Sequence, residues 1–161
     1  MDKQILEFIN KLEGFKTAIK SLHWDAANMS QHKLMDDIAD AVSDFQDQVS
    51  EVEQAISGNL ALGLLEPIPY KVKAPQECVE AILQAAKDFN QTLAEKGEDY
   101  VGMKSDCESF ISTMQRNLYL LKFTVKEGRQ RVGRKLIEGN NLQRLVDMVC
   151  EDVARKLAMV K

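Results

Sequence analysis

The sequence has few residues that interrupt helices, with eight glycines and three prolines among 161 residues. Glycine and proline are the least favourable residues in a helix interior. All three prolines fall in one segment between residues 59 and 75, and good helix formers dominate elsewhere. We therefore expect a mostly α-helical chain, whose length fits one domain with a single sizeable core.

Cysteine is also scarce, and Cys78, Cys107 and Cys150 are odd in number and widely spaced. This usage argues against a disulfide framework or a cysteine metal site, and favours reduced, partly buried thiols. The first four residues have neither the basic run nor the apolar segment of a secretion signal. With a net charge of −4, we expect a cytoplasmic protein that does not associate with membranes.

Apolar residues at steps of three and four predict four long amphipathic helices. The first runs to about Asn28, and the second begins at an N-cap on Ser30 and ends at Gly58 and Asn59. The third ends near Gly97 and the fourth at Gly128. The second helix has the clearest apolar face, formed by Leu34, Ile38, Ala41, Val42, Phe45, Val49, Val52 and Ile56.

The proline-containing segment from Asn59 to Pro75 predicts a long crossover, with a short helix around Leu60 to Leu65. A long connection lets the third helix run parallel to the second. The predicted bundle covers residues 1–128, and residues 129–161 form a C-terminal helical extension of the same domain. The extension begins with a basic patch of Arg129, Arg131, Arg134 and Lys135 and continues as an amphipathic helix through Leu142, Leu145, Val146, Val149, Val153 and Leu157. The sequence leaves open whether that helix caps the bundle, docks on a neighbouring subunit or recruits another partner.

A polar stripe lies opposite the apolar face of the second helix. His32, Asp36, Asp47 and Glu51 fall within a sector about 100° wide, as two pairs at i and i+4. Asp36 and Asp47 are roughly 16 Å apart along the axis, so one chain cannot bring both pairs to one metal ion. An outward-facing solvated surface is the simpler interpretation of such acidic residues.

A second copy of the chain offers another interpretation of the stripe. If two such helices packed antiparallel across a two-fold axis near Ala41 and Val42, His32 and Asp36 of one chain would face the other pair on its partner. Imidazole and carboxylate ligands suit iron, manganese or zinc. Asp40 adds a further like charge to the stripe, so dimerisation and metal binding are linked hypotheses.

The spacing His32-x3-Asp36-x10-Asp47-x3-Glu51, preceded by His23-Trp24, resembles the ferroxidase signature of the Dps family of DNA-protecting miniferritins. This resemblance implies an all-α, ferritin-like four-helix bundle with a long crossover between helices 2 and 3 and an additional C-terminal helix. It also implies a spherical dodecamer built from two-fold dimers. His23, His32 and Asp36 of one chain would bind iron together with Asp47 and Glu51 of its partner.

The activity implied by the resemblance is oxidation of Fe(II), preferably by hydrogen peroxide, with storage of ferric oxide and protection against oxidative damage. Trp24 would absorb stray oxidising equivalents. Compared with the family, the link between His23 and His32 is three residues shorter. The basic N-terminal tail that binds DNA in some members is absent, so direct DNA binding would have to use residues 129–135 or not occur. A helix cap is the expected role of those basic residues. The alternative function is a non-enzymatic scaffold or interaction protein that keeps the Dps-like bundle without ferroxidase activity.

Overall fold

The computed structural model of the chain describes residues 2–58, 65–71 and 74–124. Their secondary structure comprises α1 (Lys3–Trp24), α2 (Met29–Ser57), α3 (Pro75–Ala94), one 3-10 turn (Glu98–Tyr100) and α4, which covers residues 101–124. These residues contain no strand, and the four helices pack against one another around a shared core. The predicted all-helical bundle is thus confirmed.

Several predictions lie outside the described residues. They are the short helix around Leu60 to Leu65, the division of the chain at residue 128, the basic patch at residues 129–135 and the C-terminal helix. Residues Met1–Thr124 form one compact unit. None of the helices in the described ranges has both the length and the apolar character that crossing a bilayer requires.

The centre of the core is an aromatic stack with one phenylalanine from each helix. Phe8 of α1 stacks on Phe89 of α3 with ring centroids 3.9 Å apart. Phe45 of α2 stacks on Phe110 of α4 at 4.2 Å, and it meets Phe8 edge to face at 6.0 Å. Since aromatic rings contribute large buried areas and prefer these geometries, the stack fixes the level at which the four helices meet.

Polar contacts at one end of the bundle define the helix directions. The backbone N–H of Asp2, before α1, donates to Oε1 of Glu53 near the end of α2, over 2.7 Å. Lys96, just after α3, forms an ion pair with the Asp2 carboxylate, and the hydroxyl of Tyr100, just before α4, donates to Oε2 of Glu53. The beginnings of α1 and α4 therefore lie beside the ends of α2 and α3.

A contact at the opposite end completes the topology. The side-chain amide of Asn28, before α2, donates to the backbone carbonyl of Thr124 in α4 over 2.9 Å. Helices α1 and α4 thus point one way and α2 and α3 the other. Because α2 and α3 are consecutive and parallel, the segment between them must return along the length of the bundle.

The crossover is attached to α1 by two hydrogen bonds on one residue. The backbone N–H of Ile68 donates to the carbonyl oxygen of Asn10 over 3.0 Å, and that of Glu66 donates to the Asn10 side-chain oxygen, also over 3.0 Å. A Cβ on Gly14, one turn further along α1, would lie 1.8 Å from the carbonyl oxygen of Ile68. Only glycine permits this close approach of two backbones.

The turn between α1 and α2 differs from the prediction. Helix α1 ends at Trp24 rather than near Asn28, and the N-cap of α2 is Asn28 rather than Ser30. The Asn28 side chain accepts a hydrogen bond from the N–H of Gln31 over 2.9 Å, which satisfies one of the free donors at the start of the helix. Only residues 25–28 therefore separate the two helices.

The predicted apolar face of α2 is buried along most of its length, and Leu34, Ile38, Val42, Phe45 and Val49 belong to the core. Ala41 and Val52 are partly buried against the core, and Ile56, in the last turn, is 36% exposed. The full burial of Val42 agrees with its predicted place on the apolar face. The predicted two-fold contact uses the opposite, polar side of α2, and Val42 marks only the level of its axis.

Candidate metal site

The short turn between α1 and α2 brings two histidines together. His23 lies in the last turn of α1 and His32 in the first turn of α2, and both side chains are half-buried. Their ring centroids are 3.8 Å apart, with an angle of 36° between the ring planes. The three-residue shortening of this link relative to the Dps pattern therefore does not separate the two rings.

A backbone contact sets the tautomer of His32. Its Nδ1 lies 3.1 Å from the carbonyl oxygen of His23. Because a carbonyl oxygen only accepts, this hydrogen bond requires the proton to be on Nδ1, which leaves the lone pair of Nε2 available in the neutral ring. Metal-binding histidines are commonly oriented by such a bond from the second ring nitrogen.

His23 and Asp36 form the second close contact. Nδ1 of His23 lies 2.7 Å from Oδ1 of Asp36, and the pair is ionic only when the imidazole is protonated. Despite the short distance, Nδ1 is buried and has no hydrogen-bond partner, so the carboxylate oxygen lies off the ring N–H direction. The two atoms are close enough to be ligands of one cation.

His23, His32 and Asp36 together offer one ligand atom each, and these atoms all lie within 4.8 Å of one another. No other group of three potential ligands this close occurs in the described ranges. Two imidazoles with one carboxylate suit Fe(II), Mn(II) or Zn(II). Three protein ligands also leave coordination positions for further groups or for an oxidant. The residues present therefore fit a divalent transition metal.

Asp47 and Glu51 are not part of this group. Both are exposed and lie further along α2, one turn apart from each other. The eleven-residue step from Asp36 to Asp47 corresponds to roughly 16 Å of helix. One chain therefore brings together three of the five predicted ligands and leaves the remaining two as a separate pair.

Trp24 follows His23 at the end of α1 and is 72% exposed. Nζ of Lys20 lies 5.6 Å from the centroid of its ring, a cation–π contact.

Sequence reasoning did not identify the carbonyl oxygen of His23 as the group that orients His32. No sequence signal could have done so, because that role depends on the conformation of residues 25–28.

Comparisons with protein families, with curated proteins and with solved structures find no significant match to this chain.

Proposed function

We propose that this chain binds Fe(II) and oxidises it at a site shared between two subunits, as the resemblance to the Dps family implies. The observation that supports this most directly is the convergence of His23, His32 and Asp36 at the α1–α2 turn. The parallel course of α2 and α3, with a crossover between them, is the connectivity expected of a ferritin-like bundle.

An antiparallel pair of α2 helices would complete the site. With a two-fold axis at the level between residues 41 and 42, His32 lies level with Glu51 of the partner, and Asp36 with Asp47 of the partner. Each dimer then has two identical sites. Each site contains His23, His32 and Asp36 of one chain and faces Asp47 and Glu51 of the other. The dodecamer of the Dps family would contain six such dimers around a storage cavity.

The proposed reaction is peroxide-dependent iron oxidation. Two Fe(II) ions each give one electron to hydrogen peroxide, which takes up two protons, loses its O–O bond and leaves as two waters. Carboxylate oxygens favour Fe(III), while the imidazoles let the site bind the softer Fe(II). Hydrolysis of Fe(III) then gives ferric oxide. Because Fe(II) and hydrogen peroxide are both removed, they cannot react to form hydroxyl radicals.

The test compares the initial rate of ferric absorbance after addition of Fe(II) and peroxide. Asp47→Ala/Glu51→Ala should reduce the rate to that of buffer without unfolding the protein, since both side chains are exposed. Glu77→Ala/Glu80→Ala removes two exposed carboxylates from α3 and should retain the wild-type rate. A wild-type rate equal to that of buffer would refute the ferroxidase proposal and favour the scaffold function.

A complementation experiment tests whether the site is shared. His32→Ala/Asp36→Ala and Asp47→Ala/Glu51→Ala should each be inactive alone. Co-expressed in equal amounts, they should recover about a quarter of the wild-type rate, because that fraction of sites receives both intact halves under random pairing. Mixed oligomers that remain inactive would show that the two halves do not form one site.

A further inference from the structure

The exposed side of α2 is strongly acidic along the same length that carries the proposed ligands. Within the described residues, its carboxylates are Asp36, Asp37, Asp40, Asp44, Asp47 and Glu51, all exposed. Only Asp36 has an ion-pair partner in that part of the chain, the imidazole of His23. Lys33 is the single lysine or arginine of α2. This helix therefore presents a largely uncompensated negative surface.

In the proposed shared site, the antiparallel contact would place this acidic surface of α2 against the same surface of the partner's α2. With the two-fold axis between residues 41 and 42, Asp40 lies level with Ser43 of the partner. The two copies of Asp40 are then only about 4.5 Å apart, measured along the helices. Asp44 lies one turn further along. Neither residue belongs to the predicted ligand set, so a metal ion would not neutralise them by direct coordination.

We propose that a divalent cation is the trigger for this dimerisation, with Asp40 and Asp44 keeping metal-free subunits apart. The inference rests on the shared site of the proposed function and adds its regulation. In the absence of metal, the contact opposes like charges, and Lys33 is the only lysine or arginine that each α2 helix supplies against them. With metal, each cation is bound by groups from both chains, and these coordination bonds exist only in the dimer.

Linkage gives the expected size of the effect. The factor by which metal strengthens dimerisation must equal the factor by which dimerisation strengthens metal binding. Couplings of this kind are typically roughly 5- to 150-fold. The chain would thus assemble a competent site only where divalent metal is already present, and iron oxidation would be confined to assembled subunits.

Sedimentation velocity of the full chain, with Zn(II) as a redox-inactive probe, tests the proposal. The dimer dissociation constant of the wild type should be roughly 5- to 150-fold higher in excess EDTA than in stoichiometric Zn(II). Asp47→Ala/Glu51→Ala should not respond to Zn(II), since it lacks the partner's half of the site. A wild-type dimer of equal strength in EDTA and in Zn(II) would overturn the proposal.

The variant Asp40→Asn/Asp44→Asn separates repulsion from metal binding. It keeps every proposed ligand and should dimerise in EDTA, because four carboxylates of the two facing helices become neutral. Glu77→Gln/Glu80→Gln changes the net charge equally on α3 and should remain as metal-dependent as the wild type. If both double variants behave like the wild type, Asp40 and Asp44 do not control assembly, and the proposal fails.

Failure of this proposal can be distinguished from failure of the proposed function. A metal-independent dimer that oxidises Fe(II) would overturn the trigger and leave the ferroxidase intact. Zn(II)-dependent dimerisation without iron oxidation would support the trigger and refute the ferroxidase.

Discussion

His32 donates a hydrogen bond from Nδ1 to the backbone carbonyl of His23 across 3.1 Å. His23 is itself a proposed ligand, and its backbone carbonyl also orients the ring of His32, the next proposed ligand. Because this bond depends on the backbone of His23 and not on its ring, substitution of the His23 side chain leaves the acceptor for His32 in place.

Removal of the His32 ring should weaken metal binding without unfolding the bundle. We expect His32→Ala to raise the dissociation constant for Zn(II) by on the order of 100-fold, since an oriented ligand is lost. Isothermal titration calorimetry measures this change. Trp24→Phe, which alters an exposed neighbour without a ligand atom, should bind Zn(II) like the wild type; equal affinities for all three proteins would exclude His32 as a ligand.

Gly14→Ala should destabilise the bundle by roughly 1–3 kcal/mol, because the new methyl group would overlap the carbonyl oxygen of Ile68. Gly102→Ala is the matched control. Gly102 lies in α4, where a Cβ would have no neighbouring atom within 4 Å, and the substitution should stabilise the protein by about 0.4–1 kcal/mol. Urea unfolding measures both free energies. Equal effects of the two substitutions would contradict the close approach of the crossover.

The Asp2 carboxylate should make stability depend on pH in the acidic range. The hydrogen bond from Lys96 lowers the pKa of Asp2 below its usual 3.8, burial opposes the shift, and the N–H groups of Gln4 and Ile5 reinforce it. Because its pKa is lower in the folded state, the Asp2 carboxylate stabilises the protein above pH 3.8. This stability is lost as the pH falls through the pKa of Asp2 in the folded protein.

Asp2→Asn keeps a capping oxygen and removes the charge. We expect it to lower the unfolding free energy by roughly 0.5–1 kcal/mol at neutral pH. The difference from the wild type should shrink as the pH falls below 3.8. Urea unfolding across this range tests the sign, and a difference that grows with acidity would contradict the ion pair with Lys96.

Cys78 and Cys107 should be unreactive in the folded protein. Burial raises the pKa of each thiol to about 12, and Sγ of Cys107 donates to the carbonyl of Ala86 over 3.3 Å. The thiolate fraction at mildly basic pH is therefore on the order of 1,000-fold lower than in a free thiol.

Cys150→Ser isolates these two thiols for measurement. In this variant a disulfide reagent should give almost no rapid reaction until urea unfolds the protein, when two thiols should react. Two rapid reactions under native conditions would contradict their burial.

The helices and the core face of α2 were predictable from sequence because burial of one side imposes a helical period on apolar residues. The N-cap of α2 was not, because Ser30 and Asn28 are both good capping residues. What distinguishes Asn28 is its hydrogen bond to Thr124, 96 residues away. Local sequence carries no information about such a partner.

Glu53 shows the same limit for a buried charge. A glutamate among other acidic residues of α2 is expected at the surface, yet Glu53 is fully buried. Its carboxylate accepts hydrogen bonds from the N–H of Asp2, the hydroxyl of Ser57 and the hydroxyl of Tyr100. Two of these three donors lie outside α2, so the helical pattern alone could not identify the site.

The candidate metal site was only partly accessible to sequence reasoning. The spacing identified His32 and Asp36, the resemblance to the Dps family added His23, and the structure brings the three together. It also identified Asp47 and Glu51, whose sharing with a partner remains a prediction. The conformation of residues 25–28, which determines the orientation of His32, follows from turn geometry that spacing does not specify.

The attachment of the crossover to Asn10 has a consequence for the order of folding. The contact between Asn10 and Ile68 closes a long loop, whereas α1 and α2 meet through a connection of only residues 25–28. Loop closure costs more entropy as the loop lengthens, and distant contacts slow folding. We expect the α1–α2 hairpin to form early. The contact between the crossover and α1 should form late, after most of the aromatic stack has formed in the transition state.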